Sequence, residues 1–298
     1  MLLGESGLGK GYPINLAKRL IIEAGVTRVI AGRSSIQAII KELATAKTNE
    51  GKPLITDSRG FIINGELSTA IIQDPDSLTI LTDLYDGNYN KVWTNLLKGD
   101  GAEKLKNPYI TALFGSSPAH FYDSIPQANI EGGYIGRNLI IYEEKRSKNI
   151  DLLDSGDSPE GDKFDDYIVP KYVPHLAAIA AKKGQLVPSI GARELFNNWR
   201  KKWRSSQTHD KTGFLNRVPD HVLKVGMCLS LANYDFNGEI SELEMEESIS
   251  KVTQLVYSNK RTTEGRGPDP LAAGTKSVLD YLYAATNQEL PRKNLLWK

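Results

Sequence analysis

The feature that most constrains this chain is a glycine-rich run near its start, Gly4-Glu-Ser-Gly-Leu-Gly-Lys-Gly11. It follows the pattern G-x-x-x-x-G-K, in which glycines let the backbone curl until several N–H groups point at a phosphate. Residues 14–24 carry apolar side chains at helical spacing, and the N-terminus of such a helix attracts anions. The run therefore predicts a phosphate-binding loop between a strand and a helix, with Lys10 on the β- and γ-phosphates of a nucleotide.

The pattern G-x-x-x-x-G-K predicts which residues of the loop contact phosphate. The predicted cofactor-binding residues in the run are Gly4, Gly7, Gly9, Lys10 and Gly11. Gly11 stands where the pattern normally has Ser or Thr, whose hydroxyl helps to hold Mg²⁺. We therefore expect Mg²⁺ at the nucleotide to be weakly held. Residues 1–3 can supply only the end of the strand that should precede the loop, so we also expect a further N-terminal region in the same polypeptide.

Composition limits the class of protein. With 298 residues, 40% apolar and 24% charged, the chain is long enough for two domains of an ordinary globular protein. The net charge is +1, so affinity for nucleic acid must come from local patches. A single cysteine excludes an internal disulfide and suits a reducing cytoplasm. No apolar stretch reaches the about 18 residues of a membrane span, and the histidines lack ligand spacing, so neither a membrane partner nor a protein-held metal is predicted.

Short apolar runs alternate with helical patterns in the first half of the chain. Strands are predicted at 27–31, 61–66, 109–114 and 138–142, and helices between them at 34–46, 77–85 and 91–97. This alternation is typical of an α/β fold with a doubly wound parallel sheet. Beyond an acidic stretch the pattern is helical. We expect a sheet domain in residues 1–149, an acidic linker in 150–168 and a helical region in 169–298.

Polar residues follow two of the predicted strands. The apolar run at 61–66 ends in Glu66, which fits a carboxylate that polarises an attacking water. The position before it, where such a strand normally delivers an Asp for Mg²⁺, is Gly65. Ser116 and Ser117 follow the next buried strand. We expect both serines beside the terminal phosphate, because the carboxyl ends of parallel strands meet at one edge of a sheet.

Taken in order, these motifs resemble the P-loop domain of phage- and plasmid-encoded primase-helicases, a family that looks like a branch of the AAA+ helicases. Residues 4–11 match Walker A, 61–66 match Walker B, and Ser116-Ser117 match the sensor-1 turn. Gly133-Tyr-Ile-Gly-Arg137, before an apolar strand, is similar to the arginine-finger turn of mini-chromosome-maintenance helicases. Asn216–Pro219, which opens a helix, resembles the sensor-2 entry of a helical lid.

The resemblance implies a P-loop NTPase, AAA+-like fold, with the parallel sheet followed by a smaller all-helical lid or winged-helix-like region. It implies ATP and Mg²⁺ as cofactors, single-stranded DNA as partner, and a homo-oligomeric ring, a hexamer, with ATP between subunits. Lys10, Glu66 and Arg137 would be catalytic, Arg137 acting on a neighbour's nucleotide, and Arg217 would bind nucleotide as sensor 2. The implied activity is that of the ATP-binding motor of a mobile-element replicative helicase or primase-helicase, in the cytoplasm of the host cell.

Gly11 and Gly65 leave a second function open. Both stand where the family has metal-associated side chains, and sensor 1 is Ser where the family usually has Asn. Mg²⁺ neutralises charge that develops on the phosphates. Loss of its ligands therefore favours a nucleotide-binding module, catalytically weak or dead, that acts as a structural DNA-binding part of a replication complex. Magnesium-dependent ATP turnover separates the two functions.

One helical pattern in the second half, at 194–203, combines tryptophans with a basic cluster. The residues are Trp199, Trp203, Arg193, Arg200, Lys201, Lys202 and Arg204. Charge and stacking together would suit single-stranded DNA. The alternative is an amphipathic helix whose tryptophans lie in the core and whose charges face water.

Overall fold

The computed structural model describes most of the chain. The described residues are 1–45, 55, 57–67, 74, 76–87, 92–96, 102–125, 129, 133–145, 160–207, 210, 212–234 and 236–263. A last helix that the sequence predicts near 277–285 lies outside them. None of the described helices is both long and apolar enough to cross a membrane.

Five parallel strands form the central sheet, which confirms the predicted α/β fold with a parallel sheet. Their bounds are Leu2–Gly4 for β1, Arg28–Ala31 for β2, Arg59–Asn64 for β3, Tyr109–Ser116 for β6 and Ile141–Glu143 for β7. In space these strands follow the order β2-β3-β6-β1-β7. Because all neighbours run parallel, the carboxyl ends of the strands share one edge, the carboxyl edge, and their starts share the amino edge.

The first strand of the chain lies inside the sheet. Leu3 of β1 pairs with Ser116 of β6 on one side and with Tyr142 of β7 on the other. From β1 the chain crosses to β2 at the far side, whereas β6 leads to β7 in the opposite direction. The strand order therefore reverses beside β1. In open α/β sheets, ligands bind in the crevice outside the carboxyl ends of the strands at such a reversal.

Among the described residues of the sheet unit, four helices accompany the sheet. They are α1 Gly11–Ala24, α2 Ile36–Ala44, α3 Ser77–Asp86 and α4 Pro118–Ser124. Helix α1 begins at the last residue of the glycine run and is capped at its C-terminus by Gly25, whose φ of +63° is the left-handed conformation that favours glycine. Helix α2 is capped at its N-terminus by Ser35, whose Oγ accepts the N–H of Ala38 at 3.3 Å. Local sequence thus sets the ends of both helices.

The core of the sheet unit depends on one stripe of α2. Its buried residues follow the helical spacing i, i+3, i+4 and i+7: Ile36, Ile39, Ile40 and Leu43. They belong to one cluster with Ile62 of β3 and Phe114 of β6. Burial of an aliphatic side chain of this size contributes about 1.5–3 kcal/mol. The stripe that the sequence predicts therefore fixes α2 on the sheet.

One charged side chain lies inside this unit at the amino edge. Arg28, the first residue of β2, is 1% exposed. Its guanidinium donates to the carbonyl oxygens of Thr45 at 2.7 Å, Ile55 at 3.1 Å and Arg59 at 3.1 Å, and to that of Asp57. Burial lowers the pKa of Arg28, and the Asp57 carboxylate opposes that shift. Arg28 thereby joins the chain segments before β3 to the start of β2.

A two-stranded hairpin, β4 Val92–Leu96 with β5 Ala102–Lys106, departs from the sequence prediction. A helix was expected at 91–97, but these residues pair antiparallel. Val92, Trp93 and Thr94 are β-branched or aromatic, which favours a strand once a partner strand is available. Seven residues are too few for periodicity to separate a helix from a strand.

The second half of the described chain is helical, with one short strand pair. The elements are α5 Glu160–Ala181, β8 Val187–Pro188, α6 Ile190–Ser205, α7 Phe214–Ala232, β9 Glu239–Ile240 and α8 Glu242–Thr263. They form a second core that includes Phe196 of α6, Val222 of α7 and Met245 of α8. This helical unit has its own buried cluster, separate from that of the sheet unit.

Helix α5 begins earlier than the sequence predicts. An acidic linker was expected in 150–168, but the chain is helical from Glu160 onward, and the first part of that range lies outside the described residues. Two prolines inside α5 disfavour a helix locally. Helix α5 packs along α1, and Asp166 lies 3.6 Å from Arg19 of α1. Tertiary packing therefore stabilises a helix that the local sequence does not favour.

The helical unit is attached to the sheet unit through the 3₁₀ turn Ile135–Arg137, which precedes β7. The Nε2–H of His221 donates to the Gly136 carbonyl at 2.9 Å, and burial lowers the pKa of His221. A Cβ at Gly136 would lie 2.9 Å from a carbonyl oxygen just before α7. The amide of Asn259 in α8 donates to the Asn138 carbonyl at 3.1 Å. The turn is therefore held by both α7 and α8.

Candidate nucleotide site

The glycine loop connects β1 to α1 at the carboxyl edge of the sheet. The Nζ of Lys10 donates to the carbonyl oxygens of Gly4 at 2.6 Å and Glu5 at 2.8 Å. The N–H of Tyr12, in the first turn of α1, donates to the Gly9 carbonyl at 3.2 Å. The backbone of the loop therefore curls around the Lys10 ammonium, and Lys10 faces the loop and not the core.

Three of the predicted cofactor-binding glycines are required by the shape of this loop. Gly7 and Gly9 have φ of +83° and +87°, which other residues rarely adopt. Gly4 is needed for a different reason, because a Cβ there would lie 2.8 Å from the Glu143 carbonyl oxygen of β7. The loop therefore leaves β1 close against the neighbouring strand and then turns twice through glycine.

Ser116 and Ser117 lie at the carboxyl end of β6, directly beside β1, but both hydroxyls are engaged within the chain. Ser116 is 1% exposed, and its Oγ donates to the Ser117 carbonyl at 3.1 Å. The Oγ of Ser117 caps α4 by accepting the N–H of His120 at 3.2 Å. The structure thus places these residues at the predicted edge and gives each hydroxyl a local role.

Strand β3 ends at the same edge, one strand further from β1. Its last residue, Asn64, donates through Nδ2 to the Gly32 carbonyl at 3.1 Å and accepts the N–H of Glu66 on Oδ1 at 3.3 Å. These bonds hold the turn that exposes the Glu66 carboxylate. Sequence reasoning missed Asn64. The available signal was an amide side chain at the end of a buried apolar run.

Gly11 and Gly65, at the two metal-associated positions, have room for a side chain. A Cβ at either would meet no atom within 4 Å, and neither has a left-handed φ. Neither supplies a side-chain oxygen. Across the described part of the chain, no three His, Cys, Asp or Glu side chains converge as a metal site requires. The residues present therefore do not fit a Mg²⁺ ion that is held mainly by protein side chains.

Arg137 lies before β7, toward the amino edge, and its guanidinium is bonded inside the chain. Its Nε and one terminal nitrogen donate to the two carboxylate oxygens of Asp86 at 2.8 and 2.5 Å, and the other terminal nitrogen donates to the Gly133 carbonyl at 2.9 Å. The side chain is 13% exposed. The hydrogen bond from Arg137 lowers the pKa of Asp86, and the same bond raises that of Arg137. Asp86 is a second residue that sequence reasoning missed.

Arg217, in the first turns of α7, lies on the same side of the molecule as this ion pair. The charges of Arg217 and Lys224 add to the effect of Arg137 on the pKa of Asp86. The Nζ of Lys224 lies 3.9 Å from the centroid of the Tyr85 ring, a cation–π contact. The structure thus gathers Arg137 and Arg217 around Asp86, toward the amino edge, whereas the glycine loop of the same chain lies at the carboxyl edge.

Comparison with known proteins does not assign the chain to a family. No protein-family model matches the chain, and no curated protein matches it significantly. The resemblance to primase-helicases seen in the motifs stays a prediction.

Proposed function

We propose that this chain is the ATP-binding motor domain of a mobile-element replicative helicase or primase-helicase, which couples ATP hydrolysis to movement on single-stranded DNA. The observation that carries the proposal is the loop after β1, which curls around the Lys10 ammonium at 2.6 and 2.8 Å from two carbonyl oxygens. This loop precedes a helix and lies at the carboxyl edge where the strand order reverses. A triphosphate fits such a place because backbone N–H groups, the helix N-terminus and Lys10 all favour negative charge.

Two side chains at the carboxyl edge have roles in the proposed reaction. Lys10 would exchange its carbonyl acceptors for phosphate oxygens and neutralise part of their charge. Glu66, exposed on the turn after β3, would accept a proton from the attacking water. The water oxygen then bonds to the γ-phosphorus while the bond from that phosphorus to the ADP oxygen breaks. Mg²⁺ would supply further charge neutralisation, and no step is assigned to it because the residues present do not hold it.

We propose that Arg137 acts on the nucleotide of a neighbouring subunit in a ring, a hexamer. Arg137 precedes β7 and so lies toward the amino edge, whereas its own glycine loop follows β1 at the carboxyl edge; it therefore suits a neighbour's site better than its own. Arg217 lies near it and would join the same intersubunit site. A trans-acting arginine of this kind contributes about 10³–10⁵ in rate.

A second function is favoured by one observation, the lack of side-chain oxygens at positions 11 and 65. In this alternative the chain binds nucleotide but hydrolyses it weakly or not at all, and it serves as a structural DNA-binding part of a replication complex. Both functions share the loop and the fold, and fold alone does not decide between them.

Calorimetric titration with a non-hydrolysable ATP analogue tests the shared nucleotide site. Lys10→Ala should weaken binding about 10- to 100-fold, because a hydrogen bond to a charged group contributes about 1.5–3 kcal/mol. The unfolding midpoint should stay unchanged, since Lys10 faces the loop. Lys41→Ala, at an exposed position of α2, is the matched control and should bind as the parent does. Unchanged affinity in Lys10→Ala would remove Lys10 from the site.

An ATPase assay with and without single-stranded DNA separates the two functions. Turnover that DNA stimulates and that Glu66→Gln removes would support the motor. Analogue binding without turnover would support the alternative. Glu66→Gln keeps the size and hydrogen-bonding capacity of the side chain and removes only its basic carboxylate.

A further inference from the structure

Helix α6 carries the strongest local charge of the helical unit. Five basic residues and one acidic residue give it a net charge of about +4, and the whole chain is only +1. The basic residues are Arg193, Arg200, Lys201, Lys202 and Arg204. Cations in the last turn of a helix interact favourably with the helix dipole. Lys202 and Arg204 therefore have a structural role in α6 that needs no ligand. That effect does not account for the cations further toward its start.

The tryptophans of α6 are partly buried and pack against the core of the helical unit. Trp199 and Trp203 stack with ring centroids 5.6 Å apart and pack against the second core cluster. The indole N–H of Trp203 donates to the Leu215 carbonyl of α7 at 3.0 Å. Each indole is thus already in contact with side chains of this unit, which favours the amphipathic helix among the two possibilities that the sequence left open.

The cations, by contrast, form a row along one flank of the helix. The flank consists of Arg193, Asn197, Arg200, Lys201 and Arg204. The last four residues follow Arg193 by four, seven, eight and eleven positions, a spacing that places all five along one side of a helix. At 1.5 Å per residue the row is about 16 Å long. Four of the five, from Asn197 onward, line a shallow groove of about 190 Å³.

No carboxylate neutralises this flank within the described part of the chain. The ion pairs found there join residues of other elements: Arg19 with Glu23 and Asp166, Arg59 with Asp57, Arg137 with Asp86, and Lys251 with Glu247. Three of the four cations on the flank are arginines, whose planar guanidinium pairs with phosphate through two parallel hydrogen bonds. The flank therefore offers a row of cationic side chains that no carboxylate of the described chain neutralises.

We propose that this flank of α6 binds the phosphate backbone of duplex nucleic acid, independently of base sequence and of the nucleotide site. Duplex suits the flank better than single strand for two reasons. It presents one negative charge per about 1.7 Å of axis, so a straight row of cations about 16 Å long meets many phosphates. Single-strand binding relies in addition on exposed aromatic rings, and both indoles of α6 are partly buried against the core of the helical unit. The proposal does not depend on ATP.

Fluorescence anisotropy with a labelled 20-base-pair duplex of arbitrary sequence, and with one of its strands alone, tests this in the absence of nucleotide. The triple variant Arg200→Gln/Lys201→Gln/Arg204→Gln should bind duplex at least about tenfold more weakly at low salt. The slope of log affinity against log salt should become shallower by about 2.7, because each lost phosphate contact changes it by about 0.9. Gln keeps helix propensity, and a circular dichroism melt checks that the variant is folded.

The matched control removes three charges elsewhere, at exposed positions on three different segments: Lys41→Gln/Lys104→Gln/Lys183→Gln. It should keep most of the affinity and the slope of the parent. Lys10→Ala should bind duplex as the parent does, so failure of the nucleotide site and failure of this surface remain distinguishable. Equal loss of affinity in both triple variants would overturn the proposal, since net charge alone would then explain it. Tighter binding of the single strand than of the duplex would overturn it as well.

Discussion

At the carboxyl edge of the sheet the chain exposes backbone and glycine, whereas at the amino edge two arginine side chains are bonded inside the chain. Gly11 and Gly65 at the first edge face open space, and the Lys10 ammonium donates to the carbonyl oxygens of Gly4 and Glu5. At the second edge Arg28 donates to four carbonyl groups, and Arg137 is held by Asp86 through two hydrogen bonds. The comparison indicates that the carboxyl edge is open, whereas the arginines of the amino edge hold segments of the same chain together in this structure.

The largest effect is expected from breaking the amino edge at Arg28. Arg28→Met should lower the free energy of unfolding by about 3–5 kcal/mol, because four buried or part-buried carbonyl oxygens lose their donor and an unsatisfied buried acceptor costs about 1–3 kcal/mol. Arg33→Met makes the same change at an exposed position and should stay within about 0.5 kcal/mol. Urea unfolding of both variants measures the difference. A loss below about 1 kcal/mol in Arg28→Met would show that the amino edge does not depend on this side chain.

A smaller effect is expected at Asp86. Asp86→Asn should cost about 1 kcal/mol, since the carboxylate is 45% exposed and solvent screens much of its attraction to Arg137. Glu66→Asn removes a carboxylate at the other edge and should change stability less, because Glu66 is exposed and no pairing with a cation stabilises it in the described structure. Thermal unfolding compares the two. A larger loss of stability in Glu66→Asn than in Asp86→Asn would contradict the idea that the amino edge contributes more to stability than the carboxyl edge.

The pH dependence of stability follows from the same pair. The hydrogen bond from Arg137 lowers the pKa of Asp86 in the folded chain, so the unfolded chain takes up the proton first as the pH falls. The stability from this pair is present above the ordinary carboxyl pKa of about 4 and is lost as the pH falls toward the lowered value. The parent should therefore lose more stability than Asp86→Asn below about pH 4. Parallel stability curves for the two would contradict the assignment.

The smallest effect on stability is expected from filling the carboxyl edge. Gly11→Ser with Gly65→Asp should change the unfolding free energy by no more than about 0.5 kcal/mol, since both positions face open space at ordinary backbone angles. If the chain is an ATPase, the two added oxygens should raise turnover and lower the Mg²⁺ concentration needed, because they can hold the metal in place. Affinity for metal-free nucleotide should change little.

Gly115→Ser, at a glycine of β6 on the same edge, is the control for the double variant Gly11→Ser/Gly65→Asp. A Cβ there would lie 2.4 Å from the Gly65 carbonyl oxygen, so a cost of roughly 1–3 kcal/mol is expected. Turnover by the unmodified chain at micromolar Mg²⁺ would contradict the idea that the missing oxygens limit the rate. Another carboxylate would then hold the ion.

Sequence reasoning succeeded where local pattern and final packing agree. The alternation of apolar runs and helices predicted the parallel sheet, and the stripe of Ile36, Ile39, Ile40 and Leu43 predicted the buried face of α2. The strand–loop–helix arrangement around Gly4 and Lys10 was also predictable. The glycines that shape the loop and the apolar pattern that forms the helix are close neighbours in the sequence, so no distant contact is needed. What these residues bind stays a prediction.

The remaining features depend on partners that are distant in the chain. Arg28 reads as an interruption in an apolar strand, and its carbonyl partners lie 17 to 31 residues away. The contact of Asp86 with Arg137 spans 51 residues. Helix α5 contains two prolines and depends on packing against α1. Local propensity contains no information about such long-range contacts, so the sequence could not indicate them.

The two bonds of the Lys10 ammonium have a consequence for binding thermodynamics. An extended lysine side chain loses about 1.5–2 kcal/mol of rotamer entropy when it is fixed. In this loop the carbonyl oxygens of Gly4 and Glu5 have already fixed it. An incoming anion would therefore replace one set of acceptors by another without ordering a mobile side chain. The binding of an anion should therefore show a modest enthalpy and a small entropic penalty at Lys10. The loop is preorganised, but its own carbonyl oxygens compete with the anion for the Lys10 ammonium.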